Sequence, residues 1–137
     1  MAPETDDDLL GLDPEALARA EAALDSLSPH YLSWAEADMA RLRAALAELS
    51  ADPSWLARLF TIAHDMKGQA ATFGYPLVTT IGERLCRFID EHPTPTPDAD
   101  ALARMTALVE AMGEVLAQRM AGDGGAAGRA LLARLDA

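Results

Sequence analysis

Residues 52–76 read DPSWLARLFTIAHDMKGQAATFGYP, and their apolar positions recur every three or four residues. That spacing is typical of an amphipathic helix with one face packed on a core. Asp52 and Pro53 supply a cap and a first-turn proline at the start, and Gly74 suits a left-handed residue at the end. Pro76 then opens a second helix. The apolar stripe of the first helix consists of Leu56, Leu59, Ala63, Met66, Ala70 and Phe73.

The same periodicity extends in both directions along the chain. A short leading helix is predicted from about Pro14 to Leu27, and a longer one from Pro29 to Ser50, because Ser28-Pro29 repeats the cap chemistry. Alternating prolines over residues 92–97 predict an extended connector. The remaining apolar stripes are Leu32, Ala35, Met39, Leu42, Leu46 and Leu49; Leu77, Ile81, Leu85 and Phe88; and Leu102, Met105, Val109, Met112, Leu116 and Met120.

Short connections between such helices favour antiparallel neighbours. We therefore expect an all-α fold, an antiparallel up-down four-helix bundle with an extra short N-terminal helix. Residues 1–12 are expected to be a flexible acidic tail, residues 13–121 the bundle, and residues 122–137 a glycine-rich segment with a short terminal helix over 128–136.

The charge balance excludes several classes of partner. The formal net charge of the 137-residue chain is −11, so nucleic acid and anionic lipid would be repelled.

Cys86 is the single cysteine, which rules out an intrachain disulfide. The acidic N-terminus lacks the basic start and apolar run of a secretory signal, so a cytoplasmic protein is expected. His30 and His92 have no metal-ligand spacing with His64, and no metal site is predicted.

The outward face of the helix that begins near Pro53 carries the candidate chemistry. At ~100° per residue, His64 points roughly 130° and Gly68 about 170° away from the apolar stripe. With Lys67 and Ala71 they form one patch at i, i+3, i+4 and i+7. A near-neutral imidazole offers a nucleophilic nitrogen, and the lysine offers a cation for developing phosphoryl charge. A glycine inside a helix lowers the stability by up to ~1 kcal/mol relative to alanine. Gly68 therefore indicates that a side chain at this position would obstruct a partner approaching His64.

The motif His64-x-x-Lys67-Gly68, followed by Gly74, resembles the H-x-x-K-G-x-x-x-x-x-G pattern of histidine phosphotransfer (Hpt) domains. The continuation TFGY over residues 72–75 is similar to the phosphotransfer domains of chemotaxis-type kinases. The resemblance implies that His64 carries a phosphoryl group on its outer ring nitrogen and passes it to an aspartate of a response-regulator receiver domain. It also implies that Lys67 assists phosphate binding and Gly68 gives clearance.

The same resemblance implies the partners and the cofactors. Sensor histidine kinases and receiver domains are the expected partners, and the receiver supplies Mg²⁺ while this chain binds no cofactor. The chain would be a phosphotransfer intermediate without an ATP-binding domain, and not an enzyme. One histidine on one bundle suffices for that role, so a monomer is expected. Family members often place polar groups on the neighbouring helix, where Arg84, the better placed, and Arg87 are candidates. Ala71 and Gln69 complete the set of expected contact residues.

Two other functions stay open at this point. Residues 60–67, FTIAHDMK, also resemble the phosphoacceptor box of dimeric sensor kinases, in which an acid such as Asp65 acts as a base. Gly68-Gln69 stands where that box normally has a proline, and the chain has no Gly-rich ATP-binding module. A non-covalent helical adaptor is the second alternative, with the surface around His64 serving only for docking.

Overall fold

The computed structural model describes residues 13–92 and 96–136, and within these residues it contains helices but no strand. The predicted all-α fold class is confirmed. The acidic tail over residues 1–12 lies outside the described residues, as does part of the proline-rich connector, 93–95. The helices are α1 (Pro14–Glu48), α2 (Trp55–Thr72), α3 (Pro76–Glu91), α4 (Ala99–Ala117) and α5 (Gly125–Asp136).

The described residues from 33 onward form one compact unit. Its helices run antiparallel in sequence order, as two ion pairs and one short turn show. Glu36 on α1 pairs with Arg119 just beyond α4, whereas Arg43, farther along α1, pairs with Glu110, farther back on α4. Only residues 73–75 separate α2 from α3, so the chain doubles back there. These reversals give the up-down bundle that the sequence predicts.

The predicted break at Ser28-Pro29 is wrong, because α1 continues through it as a single helix. Instead of capping a new helix, the Ser28 hydroxyl donates to the Leu24 carbonyl at 3.0 Å. An internal proline removes a backbone donor and costs about 3 kcal/mol or more. The surrounding sequence is rich in alanine, leucine and glutamate, and their helix propensity, summed over many residues, keeps the segment helical. The leading segment is therefore the start of α1 and not a separate helix.

Buried side chains of α1 to α4 form the core of the unit, largely on the predicted stripes. Leu46 and Phe88 are only half-buried, and their neighbours Ala45 and Ile89 are buried in their place. α5 adds Leu131 and Leu135 to the buried set. No helix of the described residues has the length and apolar character needed to cross a bilayer. The fully buried large side chains include Leu42, Leu49, Leu59, Ile81, Leu85, Leu108 and Met112.

The end of α2 positions the following helix through a Schellman motif, in which Gly74 is the left-handed residue that the sequence predicts. Gly74 has φ +88°, its N–H donates to the Ala71 carbonyl at 3.4 Å, and the Tyr75 N–H donates to the Ala70 carbonyl at 2.8 Å. Pro76 then occupies the first turn of α3, where its missing donor costs nothing. The tight turn sets α3 directly against α2.

Two alanine substitutions in α2 and its cap should change stability in opposite directions. We expect Gly74→Ala to lower the free energy of unfolding by about 1 kcal/mol, because a left-handed φ strains any side chain. Gly68→Ala should raise it by up to about 1 kcal/mol, because the position is helical and an added Cβ meets nothing within 4 Å. Urea unfolding followed by circular dichroism measures both. Shifts of the same sign would contradict this reading of the two glycines.

Candidate functional site

His64 lies in the middle of α2 on the outside of the bundle. Its side chain is 59% exposed, whereas Ala63 and Met66 beside it are buried. The imidazole stacks on the half-buried ring of Phe60 one turn earlier, with 6.1 Å between ring centroids and 22° between ring planes. The Asp65 carboxylate approaches Nδ1 at 3.7 Å. The ring is thus oriented by its own helix and remains open to another protein.

Lys67 lies one turn after His64 and is drawn toward α3. Its side chain is only 22% exposed, and its ammonium forms a hydrogen-bonded ion pair with the Glu83 carboxylate. The hydrogen bond that Lys67 donates to Glu83 raises the pKa of Lys67 above its ordinary value, although partial burial acts against this. The same bond lowers the pKa of Glu83. Both groups therefore remain charged at neutral pH.

Gly68, Gln69 and Ala71 are exposed along α2 beside this pair. A Cβ at Gly68 would meet no atom within 4 Å, so packing inside the chain gives no reason for the glycine. The backbone at Gly68 and the small side chain of Ala71 leave a low surface on the turns that follow His64.

The two candidate arginines on α3 form ion pairs with different partners. Arg87 Nη2 is 3.7 Å from Glu83 Oε1, beside the Lys67 ion pair. Arg84 instead donates to Asp136 of α5 at 2.7 Å. The expectation that Arg84 is the better placed of the two is therefore not met. The described contacts connect Arg87 to the Lys67 ion pair and connect Arg84 to the terminal helix.

Three residues of α3 that sequence reasoning did not select hold α3 against the Lys67 turn. The Thr79 hydroxyl donates to the Lys67 carbonyl at 2.7 Å. A Cβ at Gly82 would lie 3.0 Å from Lys67 Cβ, so the glycine permits the close approach of α2 and α3. Glu83, also on α3, forms the ion pair with the Lys67 ammonium. Because the chain reverses at Tyr75, Lys67 and Glu83 are equally far from the turn and lie at the same level. Counting residues from the turn could therefore have selected Glu83.

Among the described residues, neither Cys86 nor His92 forms a second site of this kind. Cys86 is buried, and burial raises the pKa of its thiol, which keeps it protonated. His92 stacks on Phe88 with 4.1 Å between centroids, and its Nδ1 lies 2.8 Å from the Phe88 carbonyl. Within residues 13–92 and 96–136, no three His, Cys, Asp or Glu side chains are grouped so as to hold a metal ion.

Comparison with protein families gives a match to the Hpt domain over residues 26–118. The matched region contains most of α1 and all of α2, α3 and α4. No curated protein and no solved structure gives a significant match. Hpt domains take part in histidine phosphotransfer within two-component phosphorelays, where they interact with kinases and receiver domains. From its helical bundle and from this match over most of its length, the chain belongs to the Hpt domain family.

Proposed function

We propose that this protein accepts a phosphoryl group on His64 from a sensor kinase or a phosphorylated receiver and delivers it to an aspartate of a response-regulator receiver domain. The observation that carries the proposal is the 59% exposed imidazole on the outer face of α2. Lys67 lies one turn away and the surface at Gly68 is open. A donor or acceptor can therefore approach along the line that in-line transfer needs.

The proposed chemistry starts from the neutral imidazole. The Asp65 carboxylate on the Nδ1 side favours the tautomer with its proton on Nδ1, which leaves the lone pair on Nε2. Nε2 attacks phosphorus, the N–P bond forms, and the bond from phosphorus to the donor breaks. In the second half, a receiver carboxylate oxygen attacks phosphorus, the N–P bond breaks, and the electron pair returns to Nε2.

The remaining site residues assist this exchange. Lys67 supplies a positive charge for the phosphoryl oxygens. Gly68 and Ala71 give clearance for the partner, and exposed Gln69 and Arg87 offer polar contacts at the edge of its footprint. In the proposed complex the receiver contributes Mg²⁺, which binds to the receiver's own acidic residues. One histidine on one bundle is enough for this role, so a monomer acting in the cytoplasm completes the proposal.

The loading step is tested by incubating the chain with labelled ATP, alone and with each sensor kinase of the host. We expect no label with ATP alone and rapid labelling with the cognate kinase. The bond should be acid-labile and base-stable, as expected of phosphohistidine. Labelling by ATP alone would favour a kinase-type function, and the absence of labelling with every kinase would favour the non-covalent adaptor.

The role of Lys67 predicts a kinetic defect without unfolding. We expect Lys67→Ala to slow phosphotransfer by about tenfold, since one charge-assisted contact to the phosphoryl group is lost. Lys67→Arg retains the charge and should keep more of the rate. Stopped reactions resolved by gel give the rates, and circular dichroism checks the fold. Rates equal to those of the wild type would reduce Lys67 to a structural partner of Glu83.

A further inference from the structure

The cation next to His64 already has an anionic partner. The Lys67 ammonium is hydrogen-bonded to Glu83, and only 22% of the Lys67 side chain is exposed. A phosphoryl group on His64 must therefore compete with a carboxylate for this ammonium. The affinity of Lys67 for the phosphoryl group depends on how firmly Glu83 holds it.

Glu83 in turn has a second cation within reach. Lys67 binds Oε2 of the carboxylate, and Arg87 Nη2 lies 3.7 Å from Oε1. The Arg87 contact is longer than a hydrogen bond, so in this state Lys67 is the closer partner. If Lys67 turns away, Arg87 can close onto the carboxylate and keep it neutralised. The lowered pKa of Glu83 agrees with this setting, since the hydrogen bond from Lys67 lowers it most and the charges of Lys67 and Arg87 lower it further.

We propose that Glu83 is a positioning residue that restrains Lys67 before phosphorylation and releases it to the phosphoryl group on His64, while Arg87 takes over the Glu83 carboxylate. This exchange rests on the function proposed above and adds a control of phosphohistidine lifetime to it. Glu83 opposes the phosphorylated state by holding Lys67. Arg87 supports that state by pairing with the Glu83 carboxylate in place of Lys67.

The backbone around Lys67 is fixed, so the exchange needs only side-chain rotation. Thr79 holds the Lys67 carbonyl at 2.7 Å, and Gly82 keeps α3 close to the Lys67 Cβ. The flexible lysine stem can then swing between the carboxylate and the phosphoryl oxygens without moving α2 or α3. Glu83 and Arg87 are both at least partly exposed, which leaves them free to reorient.

The test uses phosphoramidate, a small phosphoryl donor that needs no partner protein. The imidazole of His64 attacks its phosphorus, the original P–N bond breaks, and ammonia leaves. After removal of the donor, ³¹P NMR follows hydrolysis, in which water attacks phosphorus and the imidazole leaves with a proton. An ammonium bound to the phosphoryl group disfavours protonation of the leaving imidazole, so a freer Lys67 should lengthen the lifetime.

We expect Glu83→Gln, which keeps the shape but removes the charge, to lengthen the lifetime about threefold. Arg87→Ala should shorten it by about the same factor, because Glu83 then holds Lys67 more firmly. Arg134→Ala serves as the matched control, since Arg134 is also an exposed, ion-paired arginine but binds Glu114 on α4. Its lifetime should equal that of the wild type. Equal lifetimes in the wild type and Glu83→Gln would overturn the proposal.

A double-mutant cycle separates an action through Lys67 from a direct effect of the Glu83 charge. In a Lys67→Ala background, Glu83→Gln should no longer change the lifetime, and a persisting change would overturn the proposal. The lifetime does not depend on any kinase or receiver. Lifetimes that follow these predictions, in a chain that no receiver can discharge, would therefore contradict the proposed function but not the exchange at Glu83.

Discussion

A His64→Gln chain is expected to take up no phosphoryl group from a kinase that loads the wild type. Glutamine keeps a polar side chain of similar reach and has good helix propensity, but its amide has no nucleophilic nitrogen. Because His64 is exposed and faces away from the core, the stability should change by about 0.5 kcal/mol or less. The loss of labelling would then be chemical and not structural. Labelling with radioactive ATP measures it, and thermal unfolding monitors the fold.

His92→Gln is the matched control for this experiment. His92 is also exposed, but its ring is stacked on Phe88 and its Nδ1 lies against a backbone carbonyl. We expect His92→Gln to load as the wild type does. Undiminished labelling of His64→Gln would remove His64 as the acceptor.

Gly68→Gln should slow transfer to a receiver by about tenfold or more while the helix remains intact. An added Cβ here meets no atom within 4 Å and the position is exposed, so we expect the fold to accept the side chain. It would project into the low surface about one turn after His64, where an approaching partner needs room. Displacing a reacting group by about 1 Å can cost up to a hundredfold in rate. Helix stability should rise slightly, since glutamine is a better helix former than glycine.

The Gly68→Ala chain separates steric obstruction from the change in helix stability. Alanine gives the larger gain in helix propensity but adds only a methyl group, so it should transfer faster than Gly68→Gln. Stopped-flow or quenched transfer assays from a preloaded chain give both rates. If Gly68→Gln transfers as fast as the wild type to every receiver, the glycine does not provide clearance.

Local sequence signals predicted the end of α2 and the start of α3, whereas α2 begins at Trp55, after the predicted first-turn residue Pro53. Gly74 adopts the expected left-handed conformation at the end of α2, and Pro76 occupies the first turn of α3 as expected. Such signals act over a few residues, so they can be read from the sequence. The continuous α1 was not predicted from the sequence. A Ser-Pro pair is typical of a helix start, and the pair Ser28-Pro29 looks the same in sequence when it lies inside a helix that tolerates a proline.

The part of the site that α3 contributes was harder to predict, because it depends on the rotation of α3 relative to α2. The antiparallel return correctly brought α3 level with His64, but the choice among Glu83, Arg84 and Arg87 needs its rotation about its own axis. The contact with α5 draws Arg84 to Asp136, and no pattern within α3 announces this. Close packing at Gly82 then turns Glu83 toward Lys67.

The most direct measurement follows a labelled phosphoryl group as it leaves the chain. The wild type is loaded, freed of kinase and ATP, and mixed with each receiver domain of the host in the presence of Mg²⁺. The label should disappear from the peptide that contains His64 and appear in equal amount on an aspartate of one or a few receivers. A label that stays on the chain with every receiver, or that maps to another residue, would contradict a role as a phosphoryl carrier.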